Sequence, residues 1–194
     1  MLNAALIAFR VTVFTLLLTG VAYPLVVTGL AQLLFPYQAN GSLVRDGQGN
    51  VVGSELLGQR FKHPAYFQTR PSAAGEYGYD PAASGGSNLG PTSQKLRNRA
   101  ISELARLHKE NPEAPSPVPA ELVTASASGL DPHLSLAGAL WQVTRVAKAR
   151  GVAPERLTTV VKANLEGRTL GVLGEPRVNV LLLNLALDRQ FGRP

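Results

Sequence analysis

An uncharged apolar run opens the chain. Val11 to Phe35, VTVFTLLLTGVAYPLVVTGLAQLLF, contains no Asp, Glu, Lys or Arg. As a helix rising 1.5 Å per residue it would measure roughly 37 Å, against a hydrocarbon core of about 30 Å. The pattern predicts an N-terminal segment over residues 1–10, one transmembrane helix over 11–35 and a single soluble domain over 36–194. Pro24 falls inside the run, where a kink is expected rather than a break. A secretory signal peptide is the rival reading, which would release a free ligand-binding module with a mature chain beginning near Asn40. The run is longer than an ordinary signal h-region, however, and Pro36-Tyr37-Gln38-Ala39-Asn40 offers no small-x-small cleavage site. Thr12, Thr15, Thr19, Ala22 and Gly29 recur at helical spacing. Small residues let helices approach closely in lipid, so this stripe is a candidate face for packing against other membrane helices.

Beyond residue 36 the pattern shortens. Ser42–Arg45 and Asn50–Gly53 flank the turn-forming Asp46-Gly47-Gln48-Gly49 and predict a β-hairpin. Gln59 to Phe67 is aromatic-rich but interrupted by Pro64, as in an edge strand or irregular segment. Arg70 to Pro91, RPSAAGEYGYDPAASGGSNLGP, has almost no aliphatic residue and reads as a long ordered surface loop. A helix is predicted from about Thr92 to Lys109, with Leu96, Ala100, Leu104 and Leu107 inward and Lys95, Arg99, Glu103 and Arg106 outward. The proline-rich Asn111–Ala120 ends it, and Glu121–Thr124 suggests a short strand.

Ser135 can cap a helix running to Arg150, with Leu136, Ala139, Leu140, Val143, Val146 and Ala147 facing inward and Gly151 closing it. Pro154 suits the first turn of another helix, expected to end at Gly167. Val178 to Phe191 is apolar enough for a buried helix or strand, and its length favours helix. The expectation is an α+β fold: one transmembrane helix, then a domain with a small antiparallel β portion and three to four helices.

Charge refines this picture. The chain carries a net +6, of which Arg10 alone lies before the domain, leaving +5 on residues 36–194. The basic residues are scattered, which argues against nucleic acid and for anionic headgroups or an acidic partner surface. Arg10 and the amino terminus precede the apolar run and Arg45 follows at a distance, so the positive-inside rule places the N-terminus in the cytoplasm and the domain outside. The chain has no cysteine, which excludes disulfides and thiolate metal sites.

Candidate chemistry is sparse. Ser84-Gly85-Gly86-Ser87-Asn88 could form a backbone nest for an anion, or a structural or partner-contacting loop. It lacks a Walker lysine, and Leu89 spoils G-x-S-x-G. Asp131 and His133, with Ser87 or Ser126, raise the alternative of a membrane-anchored external hydrolase; a turn leading into the next helix is the simpler reading. His63 and His108 stand alone, so no metal site is expected. Gly174-Glu175-Pro176-Arg177-Val178-Asn179 combines a tight turn, opposite charges and an amide, either a brace for the last element or a recognition surface.

The N-terminal anchor, Arg70-Pro71-Ser72-Ala73, Ser84-Gly85-Gly86-Ser87-Asn88-Leu89, Gly129-Leu130-Asp131-Pro132-His133, Arg145-Val146-Ala147 and Leu173-Gly174-Glu175-Pro176-Arg177-Val178-Asn179-Val180 occur in that order. Together they closely resemble the KdpC family, the C subunits of bacterial Kdp potassium-transporting P-type ATPases. Ala127, where a glycine is expected, and Leu136, where proline is common, depart from the pattern.

The resemblance implies an accessory subunit of the inner membrane that performs no phosphoryl transfer. Its partners would be a potassium-conducting subunit, which carries the potassium, and an ATP-hydrolysing subunit, for which it is described as a catalytic chaperone. Arg70, Asp131, His133, Gln142, Arg145, Glu175, Arg177 and Asn179 become partner-contacting or structural candidates. ATP binding, if any, would fall to Ser84–Asn88, yet the charge-derived topology puts that loop on the side away from cytoplasmic ATP.

Overall fold

The computed structural model describes residues 1–194, which divide into two compact units, Met1–Leu43 and Val44–Pro194. In the first unit the apolar stretch is helical from Leu2 to Leu34. Its 33 residues reach roughly 50 Å. The helix starts nine residues earlier than the uncharged run because Leu2–Phe9 is itself apolar and rich in helix formers. It ends where Pro36 forces the residue before it, Phe35, out of helical geometry (φ −136°, ψ 55°).

Within it, α1 (Leu2–Leu17) passes through a π-helical turn, Leu18–Ala22, into α2 (Tyr23–Leu34). The expected disturbance at Pro24 takes this form: the Tyr23 amide reaches back five residues to the Leu18 carbonyl. A single helical turn, α3 (Pro36–Ala39), follows. None of α1, the π turn or α2 has a buried residue.

The expected hairpin, β1 (Leu43–Arg45) paired with β2 (Val51–Ser54), starts at the last residue of the first unit and continues in the second. Asp46 organises the turn, its carboxylate accepting from the Gln48 and Asn50 amides. Residues 59–69 form no strand. After the long loop comes α4 (Gln94–Glu110), capped by Ser93. Leu96, Ala100 and Leu104 are half-buried and Leu107 buried, as the periodicity predicts. Arg99, Glu103 and Arg106 are also half-buried instead of turning to solvent, because they line a cleft against residues 60–79.

The core forms around α5 (Leu136–Arg150), capped by Ser135 and closed by Gly151 at φ 66°. Its Trp141, Val143, Val146 and Ala147 pack with Leu157, Val160 and Val161 of α6 (Pro154–Ala163) and with Leu183 and Leu187 of α7 (Val180–Phe191). Three short antiparallel strands lie beside them in the order β3 (His133–Ser135), β5 (Arg177–Asn179), β4 (Leu165–Glu166). Val178 sits at the middle of that sheet, opposite both Leu134 and Leu165.

Three local expectations change. Glu121–Thr124 is not a strand: Ala120–Leu122 is one 3-10 turn, with Leu122 buried and the Glu121 carboxylate accepting from the Ser135 amide and hydroxyl. α6 stops at Ala163, short of Gly167, because Asn164 turns its amide back onto the Val160 carbonyl and the next two residues join the sheet. The final apolar run is mostly helix, but Arg177–Asn179 is a strand and Asn179 caps α7 through the Leu182 amide.

Candidate functional site

The sequence candidates fall into two groups. One group surrounds the segment 126–135, which threads between three loops. Gly58 donates to the Leu130 carbonyl at 2.7 Å, Ser126 to Pro71 at 3.2 Å, and Gly85 to Ser128 at 2.8 Å. The Ser84 hydroxyl also donates to the Ser128 carbonyl, at 3.0 Å. The backbones meet so closely that only glycine fits at three points: a Cβ on Gly58 would lie 2.6 Å from the Asp131 oxygen, one on Gly129 (φ 69°) 2.7 Å from the Ala74 nitrogen and the Gly85 oxygen, and one on Gly86 2.9 Å from the Ala127 oxygen. Ala127 itself has no positive φ, so the departure from glycine there is accommodated. The Gly85 amide is thus already occupied within the protein, and Asn88 adopts φ 50° beyond it.

Acidic and basic side chains alternate across the ends of β3, β4 and β5. Arg70 Nη1 lies 3.2 Å from Asp131 Oδ2 and Asp131 Oδ1 3.5 Å from His133 Nδ1. His133 Nε2 then lies 3.9 Å from Glu166, whose carboxylate is 3.1 Å from Arg177 Nε. Register explains the last pair, since Glu166 and Arg177 are directly opposite on β4 and β5. Burial by itself would raise the Asp131 carboxyl, but hydrogen bonds from the His133 side chain and amide, with the Arg70 charge, outweigh it and hold the group below its ordinary value.

Arg70 Nε is buried without a hydrogen-bond partner. Two open clefts meet at Asp131. One, about 560 Å³, is lined by Arg70, Ser84, Ser126 and Asp131; the other, about 360 Å³, by Asp131, His133, Glu175 and Arg177. The His133 ring faces two carboxylates and is hydrogen-bonded to neither Ser87 nor Ser126, so the parts of a hydrolytic triad are not assembled.

Glu175 and Arg177 do not pair with each other. Glu175 takes both carboxylate oxygens to Arg168, at 2.9 and 2.8 Å, while Arg177 goes to Glu166. Asn179 is buried and donates to the Glu55 carbonyl at 2.8 Å besides capping α7.

Gln142 and Arg145 lie elsewhere, inside the core, where they grip the irregular segment 64–69. Gln142 accepts from the Gln68 amide at 2.8 Å and donates to its carbonyl at 2.9 Å. Asn184 of α7 does the same for Phe67, at 2.9 Å in each direction. Arg145 donates to the Pro64 and Tyr66 carbonyls and to Gln142 Oε1, and Arg150 donates to Ala65 and pairs with Asp188 at 2.8 Å. Burial pushes the Arg145 guanidinium down to about 10, with Glu110 partly restoring it and Arg106 lowering it, so it remains charged at neutral pH. These groups hold backbone.

The sequence reading missed Gln68, Glu166 and Asn184. Asn184 had a visible signal, a lone amide in the apolar run 178–191, whereas nothing local distinguishes Gln68 or Glu166.

In the first unit, Thr12, Thr15, Thr19, Ala22 and Gly29 are all exposed. The Thr15 hydroxyl donates to the Val11 and Thr12 carbonyls and the Thr19 hydroxyl to Thr15, so their polar atoms are satisfied within the helix. A Cβ on Gly29 would meet nothing within 4 Å. The π turn shifts the helical phase after Leu18, so the threonines form one patch and Ala22 and Gly29 another, rotated from it.

Residues 5–189 match the family model described as KdpC, K+-transporting ATPase, c chain. The chain is 68% identical over 192 residues to the Potassium-transporting ATPase KdpC subunit of Myxococcus xanthus, covering 99% of this chain and 90% of that protein. It is 57% identical over 175 residues to the protein of the same description from Rhodospirillum rubrum, covering 90% of each. A third similar protein, from Sorangium cellulosum, is 57% identical over 171 residues, covering 88% of this chain and 90% of its own length.

Proposed function

The chain belongs to the KdpC family of potassium-transporting ATPase subunits, and on that premise we propose that it is the single-pass accessory subunit of a potassium uptake pump. Potassium conduction and ATP hydrolysis are the work of two partner subunits. This chain supports their assembly and activity without transferring a phosphoryl group. The observation that carries the proposal is the helix Leu2–Leu34, uncharged except for Arg10 and without a buried residue. Such a surface is stable in lipid or against other membrane helices and not in water.

The span lies in the bacterial inner membrane with its N-terminus in the cytoplasm, on the positive-inside argument. Only residues 35–42 separate the end of α2 from β1. The domain works on the outer side, with the potassium-conducting subunit as its partner. The clefts that meet at Asp131 are the polar part of its partner surface. The loop Ser84–Asn88 contributes to that surface rather than to a nucleotide cradle, a reading supported by the Gly85 amide being committed to Ser128.

Purification of the tagged full chain from detergent-solubilised membranes tests the proposal. The expected result is one stable particle containing the potassium-conducting and ATPase subunits, and a deletion strain that fails to grow at limiting potassium. Recovery of the chain alone, with normal growth of the deletion strain, would refute it.

A further inference from the structure

The hairpin joining β4 to β5 exposes apolar side chains that the fold does not use. Leu170, Val172 and Leu173 are 86%, 72% and 58% exposed, whereas the other exposed large apolar side chains of residues 44–194, Val51, Leu56, Tyr77 and Ile101, stand singly. A contiguous exposed apolar cluster with a polar margin is a mark of an interaction surface.

The tip is also held in one shape. Thr169 and Leu173 exchange both backbone hydrogen bonds at 2.9 Å, and Gly171 donates to Arg168 at 3.0 Å. Leu170 (φ 54°) and Gly171 (φ 77°) both take left-handed conformations, as a tight hairpin turn requires, although leucine seldom adopts one. At the base, Arg168 and Glu175 close the loop with their two-oxygen ion pair. A Cβ on Gly171 or Gly174 would meet nothing within 4 Å, so the tip is open on that side.

We propose that Leu170–Leu173 is a docking element that seats in an apolar crevice on another subunit of the same potassium-transporting ATPase. This rests on the accessory-subunit reading above. Three features select that occupant. The Arg168–Glu175 pair gives the apolar tip a polar, electrically neutral rim, the arrangement of a protein interface. The fixed backbone lowers the entropy cost of fitting a shaped crevice, a benefit that a fluid bilayer would not require. Residues 168–175, RTLGVLGE, contain no Trp, Tyr or Lys to anchor a loop among headgroups, and the one Arg, Arg168, is held by Glu175. A second copy of the chain is a poor occupant because both copies carry the same net positive charge.

The test uses the full chain co-expressed with the other subunits. In a double variant, Leu170→Asn with Val172→Ser, asparagine tolerates the left-handed backbone, so the hairpin is kept while its two most exposed apolar side chains are removed. Recovery of the other subunits with the tagged chain should fall roughly tenfold, the loss expected when central apolar contacts of an interface are removed. The thermal unfolding of the isolated full chain in detergent should stay unchanged. Ile101→Ser, which removes exposed apolar surface elsewhere, should leave recovery unchanged.

Undiminished recovery with the double variant overturns the inference but leaves the accessory-subunit proposal standing. Failure of the wild-type chain to recover any other subunit overturns both. If the double variant instead loses binding to phospholipid vesicles free of other subunits and keeps subunit recovery, the tip is a lipid contact and the inference fails.

Discussion

Arg70 Nη1 lies 3.2 Å from Asp131 Oδ2, across 61 residues of sequence, and the two half-buried side chains fasten the loop after residue 69 to the turn that starts β3. Asp131 also accepts from the His133 amide at 3.0 Å, so one carboxylate serves a turn and a tertiary link.

Because the Asp131 carboxyl is held below its ordinary value in the folded protein, it binds a proton less readily there than in the unfolded chain. Its contribution to stability is therefore complete above the unfolded value, about 3.9, and is lost as pH falls through the lower folded value. Asp131→Asn should lower the melting temperature at pH 7 and flatten its decline over the acid interval below about pH 4. An equal melting-temperature drop for both proteins across that interval would disprove the assignment.

Gly129→Ala should be among the most damaging single-atom additions in the domain. The new Cβ meets two backbone atoms at 2.7 Å, from loops that cannot both retreat, at a residue with φ 69°. A loss of roughly 2–4 kcal/mol is expected from the overpacking and the backbone strain together. Urea denaturation of the full chain in detergent measures it, with Gly167→Ala as the control, where a Cβ has open space.

Asn184→Leu fits the apolar character of α7 yet should destabilise the protein by about 2–4 kcal/mol. It leaves the buried amide and carbonyl of Phe67 without partners, and each unsatisfied backbone group costs on the order of 1–3 kcal/mol. Hydrogen exchange at the Phe67 amide should accelerate by a larger factor than exchange within α6. Equal acceleration in both places would mean that the effect is global packing and not the lost amide clamp.

Gly29→Leu should leave the melting of the domain unchanged, since the position is open in the isolated chain. If the helix packs against another membrane helix there, the added side chain should weaken recovery of the partner subunits from membranes. Recovery at the wild-type level would assign this face to lipid.

The parts of this fold that were legible in the sequence are those with local causes. The apolar span, the Asp46 turn, the Ser135 cap, the left-handed Gly151 that closes the same helix and the first-turn Pro154 each signal themselves within a few residues. The three-stranded sheet was not legible, because strands of two or three residues show no alternation and their pairing depends on partners more than ten residues away. The candidate residues do not converge on one site. Gln142 and Arg145 belong to backbone support, and the acid–base alternation from Arg70 to Arg177 needed Glu166, whose place is set by register.

The amide clamps on Phe67 and Gln68 have a consequence outside the folded subunit's own stability. Two consecutive residues of an unpaired, aromatic segment have their backbone donors and acceptors occupied from α7 and α5. An incoming strand from another chain finds no hydrogen-bonding edge there, so a subunit waiting for its partners is guarded against β-type self-association.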